Sequence, residues 1–118
     1  MIAIKSTECI NQAVAYELQN IVKNYGATYN SEHEGYAVLL EETDEASDDL
    51  KYIHNCMDLL WKEVKANKVT KDFLYSIKIA SLELAKEAVQ CAAVCERFEA
   101  TIENKEDPPT YREDKTIL

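Results

Sequence analysis

Glu42 and Glu45 stand three residues apart in a stretch, Tyr36 to Asp49, that opens apolar and then crowds carboxylates (Glu41, Glu42, Glu45, Asp48, Asp49) together. On a helix, a spacing of three sends both side chains from one face. Far along the chain, Glu87 and Gln90 repeat that spacing. Glu87 falls where the apolar rhythm around it asks for a hydrophobe, and a buried carboxylate without a partner either costs several kcal/mol or takes up a proton. Two helices packed antiparallel bring such pairs to one point. Four oxygen-bearing side chains there suit a hard divalent cation, Mg²⁺ or Mn²⁺, which removes the cost. Glu42, Glu45 and Glu87 are therefore the candidate catalytic residues, and the same three with Gln90 are the candidate metal ligands.

The plain reading of the same residues is a solvated acidic face. Glu41, Asp48 and Asp49 are assigned to it, and Glu42 and Glu45 alone would be too. A seam charge at Glu87 could also pair with a lysine or lie at the end of a bundle. The interruption of the seam is what gives the acidic pattern its weight.

The elements that must position these residues are long helices. Two Gly and two Pro in 118 residues leave few turn formers, which favours a few long helices over many short strands. Residues 1–5 read as an extended lead-in, with Ser6 or Thr7 as cap of a first helix. Ile10, Val14, Leu18 (or Glu17), Ile21 and Tyr25 give its inner face, and Gly26 its stop. After a polar loop over 27–31, Ser31 and Glu34 form a capping box. The second helix then runs along Tyr36, Leu39, Thr43, Ala46, Leu50, Ile53, Met57, Leu60 and Val64, a heptad seam. It covers about 35 residues and roughly 50 Å, with a bend expected near Ser47–Asp49. Asn67 and Thr70 mark the turn. The third helix follows Phe73, Ile77, Ala80, Leu84, Glu87, Cys91, Val94, Phe98 and Thr101.

The expected fold class is all-α: a bundle of three main helices over residues 1–103, followed by a polar tail, 104–118, with its Pro108–Pro109 pair. Three long helices with heptad faces bury poorly alone. A four-helix core completed by a homodimer or homotetramer is expected, with the second and third helices supplying most of the interface.

A net charge of −9 disfavours binding to a nucleic-acid backbone. A small phosphate ligand is compatible with it if cations bridge the two. No apolar run reaches membrane-spanning length and the opening Met1–Lys5 is too short for a signal peptide, so a cytoplasmic location and no membrane partner are expected. Cys9, Cys56, Cys91 and Cys95 read as reduced thiols at buried or half-buried helical positions. Cys91 and Cys95 with His33 or His54 give only a weak zinc pattern. No Gly-rich phosphate loop, His-Glu-x-x-His or nucleophile elbow is present.

Glu41-Glu42-Thr43-Asp44-Glu45 resembles the Glu-Glu-x-x-Glu half-motif of the MazG-like, all-alpha nucleoside triphosphate pyrophosphohydrolase superfamily. The preceding His33–Leu40 and the later Glu87–Ala93 are similar to phage- and prophage-associated members. The resemblance spans roughly residues 20–100 and is carried by these short stretches. It matches Glu42 and Glu45 to the first ligand pair and Glu87 to the Glu of a second motif, Glu-x-x-Asp. Gln90 stands in the Asp position, and a neutral carbonyl there lowers metal affinity. Residues 46–86 make a longer gap than the family's, which an extension of both helices past the site would explain. The resemblance implies Mg²⁺-dependent cleavage of a nucleoside triphosphate between its α- and β-phosphates, giving monophosphate and pyrophosphate. Lys51, Lys62, Lys65 and Lys86 are the candidate phosphate contacts. Trp61 could stack on a base, although at helical spacing it reads as core.

Gln90 and the long gap also motivate a second reading, a catalytically degenerate helical module that binds nucleotide or protein. A third is a coiled-coil-like adaptor without any site.

Overall fold

The computed structural model describes residues 1–106, and these are all-α: α1 (Ile4–Tyr25), α2 (Glu32–Lys65) and α3 (Asp72–Glu106). The expected tail loses its first three residues to α3, because Asn104 to Glu106 contain no helix breaker. The rest of that tail, 107–118, lies outside the described residues. No helix among the described residues is long and apolar enough to cross a membrane. The chain divides into two compact units, Met1–Leu40 with the chain from Val89 onward, and Glu41–Ala88.

In the first unit, α1 begins earlier than expected. Its N-cap is Ala3, with no side-chain hydrogen bond, and Ser6 and Thr7 lie inside the helix. The Thr7 hydroxyl instead donates back to the Ala3 carbonyl at 3.2 Å. Gly26 ends the helix at φ 98°, its N–H donating to the Val22 carbonyl; a side chain there would be strained. Val14, Leu18 and Ile21 are half-buried as expected, whereas Ile10 and Tyr25 are exposed. Ser31 caps α2 by accepting from the Glu34 N–H at 3.1 Å. The Glu34 carboxylate reaches one residue further back than a standard box and accepts from the Asn30 N–H at 2.7 Å.

Arg97 holds this unit together. It is buried, and its guanidinium donates to the carbonyls of Tyr25, Gly26 and Thr28 at 2.9–3.0 Å. It also lies 4.1 Å over the Tyr29 ring. The Tyr25 and Gly26 carbonyls close α1, where the helix dipole favours a cation, and that of Thr28 belongs to the loop that follows. Thr101 continues the network, accepting from the Tyr29 N–H at 2.8 Å while its hydroxyl donates to the Arg97 carbonyl. Arg97→Met should leave those carbonyls without a donor and lower stability by about 2–4 kcal/mol in thermal or urea melts. Arg97→Lys should recover only part of that, since one ammonium cannot reproduce the planar fork.

The second unit is a helical hairpin. Asn67, at φ 55°, ends α2 with the Lys68 N–H donating to the Glu63 carbonyl. The Glu63 carboxylate in turn accepts from the Thr70 N–H at 3.1 Å. α2 is helical straight through Ser47–Asp49. Every expected seam residue of α3, Phe73 through Thr101, is buried or half-buried. For α2 the seam is half right. Leu39, Ala46, Ile53 and Leu60 are half-buried, but Tyr36, Thr43, Leu50, Met57 and Val64 are exposed. Glu42, Asp49, Cys56 and Glu63 take the covered positions instead. The helix carries two adjoining heptad rows, and the more polar one is the one the hairpin covers.

Candidate metal centre

The packed side of the hairpin gathers carboxylates at the end away from its turn. On α2, Glu42, Glu45 and Asp49 follow one another at three and four residues, so a single helix face presents them all. α3 supplies Glu87. One carboxylate oxygen from each of Glu42, Glu45 and Glu87 lies within 4.8 Å of the others. This is the one group of at least three His, Cys, Asp or Glu side chains so placed among the described residues. The three acids singled out from the sequence are therefore brought together.

The local electrostatics are unfavourable when only protein atoms are counted. Glu42 Oε2 and Glu87 Oε1 are buried and, as carboxylate oxygens, accept no hydrogen bond; both side chains meet the Glu45 carboxyl, a contact that becomes a hydrogen bond only when one of the pair is protonated. Loss of water, then the charges of Glu45 and Glu87, push the Glu42 carboxyl up to about 7. Glu87 is raised by loss of water and then by Glu45 and Asp49. Protonation or a bound cation relieves such a cluster, and orphaned oxygens facing convergent acids fit an oxygen-loving divalent ion.

A pH dependence follows. Glu42 keeps its proton to about pH 7 when folded but loses it near the ordinary value of 4.5 when unfolded. The folded state binds more protons in that window, so stability falls as pH rises through it. Without divalent ions, the melting temperature should be lower at about pH 8 than at about pH 5. Saturating Mn²⁺ should shrink or reverse that difference, because a cation binds the deprotonated form.

Asp49 is the acid that the sequence reading put on the solvated face. It is half-buried, and its charge reaches Glu87. Its position seven residues after Glu42 was the available signal. Asp48 and Glu41 are exposed, as read. Gln90 is half-buried on α3, three residues past Glu87 and beyond the end of the hairpin unit.

Other candidates sort clearly. Lys86 pairs with Glu83 at 2.9 Å on the surface, a contact worth little in stability. Lys51 and Lys62 are exposed. Trp61 is exposed rather than core, and the Lys65 ammonium lies 5.7 Å from its ring centroid. His33 and His54 are exposed. Cys56 is buried and Cys91 half-buried, but Cys9 and Cys95 are exposed, against expectation. Cys91, Cys95 and the histidines form no such group among the described residues.

No family model, characterised protein or solved structure matches the chain.

Proposed function

We propose that this chain is a metal-dependent nucleoside triphosphate pyrophosphohydrolase of the MazG-like type, with Mg²⁺ or Mn²⁺ held by Glu42, Glu45 and Glu87. The observation that carries the reading is the pair of buried, unpartnered oxygens, Glu42 Oε2 and Glu87 Oε1, in a cluster of like charge. When bound, such a cation polarises phosphoryl oxygens and lowers the pKa of bound water. The chain's own contribution is to present several carboxylates from two rigid helices at fixed spacing. Asp49 adds negative charge beside Glu87, and the resemblance assigns Gln90 to the remaining ligand position. A −9 chain needs a cation to hold a polyphosphate, because Lys62, although exposed, lies roughly 25 Å along α2 from Glu45 and cannot reach it. A cytoplasmic setting supplies both nucleotide and Mg²⁺.

The test is pyrophosphate release from a panel of nucleoside triphosphates with Mg²⁺ or Mn²⁺. Metal-dependent release with at least one of them is expected, and none with any removes the enzymatic reading. The degenerate-module reading is motivated by Gln90, and Gln90→Asp separates the two. Activity already present in the wild type and raised by this change supports the enzyme. Nucleotide or metal binding without turnover, with turnover gained only in the variant, supports the module.

A further inference from the structure

The part of α2 within the hairpin carries an apolar row that the hairpin does not use. Leu50, Met57 and Val64 recur every seven residues, with Trp61 one turn before Val64, and they are 46%, 49%, 41% and 56% exposed. Within the hairpin only Cys56 and Ala80 are fully buried, and two helices need a further layer to close a core. Beside the apolar row runs a charged one at the same spacing: Asp44, Lys51, Asp58 and Lys65, all exposed. Its signs alternate along the helix. Read backwards, the row shows the opposite sign at every position.

That property selects the occupant. When two copies of one helix pack antiparallel, each flank of the contact sets a heptad position against the same position of the other copy, so flanking charges decide the pairing. An antiparallel copy therefore places Asp44 opposite Lys65 and Lys51 opposite Asp58. Each pair occurs twice about one two-fold axis, as an isologous contact requires. In the same register Leu50 meets Met57, and Thr43 meets Val64. A parallel copy puts the two charged rows on opposite sides of the contact, where they never meet.

We propose that the Leu50, Met57, Trp61 and Val64 face of α2 is the contact surface for a second copy of this chain, packed antiparallel and registered by the Asp44–Lys65 and Lys51–Asp58 pairs. Two hairpins then supply the four helices of one core. This assigns Lys51 and Lys65 to pairing rather than to phosphate. It does not depend on the cation reading.

The test is sedimentation velocity and native mass spectrometry of the full chain and two charge variants. Lys51→Asp with Lys65→Asp makes the row wholly acidic, and Asp44→Lys with Asp58→Lys makes it wholly basic. The wild type should have twice the chain mass. Each variant alone should associate at least about tenfold more weakly, since like charges then face each other. An equal mixture should return to the dimer as a heterodimer. Met57→Glu should give single chains, with helix content by circular dichroism unchanged. A wild type that stays monomeric at about 100 μM, variants that remain dimeric alone, or a mixture that does not pair would each overturn the proposal.

Discussion

Glu45→Gln should reduce Mn²⁺-dependent pyrophosphate release by about 100-fold or more, the scale set by losing a group that holds or orients a metal. Glu45 is exposed, and substitutions at exposed positions usually change stability little. After loss of water, the Glu45 charge does most to raise the Glu42 carboxyl, and it also raises Glu87. Its removal should let Glu42 ionise at lower pH and make the metal-free protein no less stable at neutral pH. Lost turnover, lost Mn²⁺ stabilisation and an unimpaired metal-free melt form one signature. A variant that simply unfolds would show a lower metal-free melt instead. A variant retaining full turnover would remove Glu45 from the site.

Glu87→Leu should act in opposite directions on stability and function. In the metal-free protein Glu87 is a seam carboxylate with an orphaned buried oxygen, surrounded by Glu45, Asp49 and Glu83. Leu fits the apolar rhythm of Phe73, Ile77, Ala80 and Leu84 on the same face of α3. Replacing a poorly compensated buried charge with a hydrophobe of similar volume often stabilises, here by about 1–3 kcal/mol. For a domain near this size that raises the melting temperature by about 4–8 °C per kcal/mol. The same variant should show no further rise on adding Mn²⁺, because a ligand stabilises only a folded state that it binds. A protein that trades stability for a site is expected to behave this way. If Glu87→Leu is destabilised and Mn²⁺ still raises its melt, the carboxylate has a structural role and no part in binding the cation.

How much of this was legible in the sequence depends on the helix. For α3 the seam could be read completely, because one apolar row dominates and Glu87 interrupts it. The three acids could be read for the same reason: spacing fixes a face, and an intruding charge marks where that face is covered. α2 was misread because it carries two rows, Glu42–Asp49–Cys56–Glu63 and Thr43–Leu50–Met57–Val64, and hydrophobicity favours the second. The hairpin covers the first, where the Glu63 carboxylate is satisfied by Thr70. Asp49 was lost with that error, since its burial follows from the register of the more polar row. Arg97 was not legible at all. Its partners are backbone carbonyls of Tyr25, Gly26 and Thr28, and backbone groups leave no trace in residue type. The α1 start at Ala3 was missed because no side chain caps it.

A crystal grown with saturating Mn²⁺ and measured at the manganese absorption edge tests the cation directly. The expected result is an anomalous peak coordinated by carboxylate oxygens of Glu42, Glu45 and Glu87, lost in crystals of Glu45→Gln. Three carboxylates turned apart into solvent, with no peak between them at saturating Mn²⁺, would contradict the assignment.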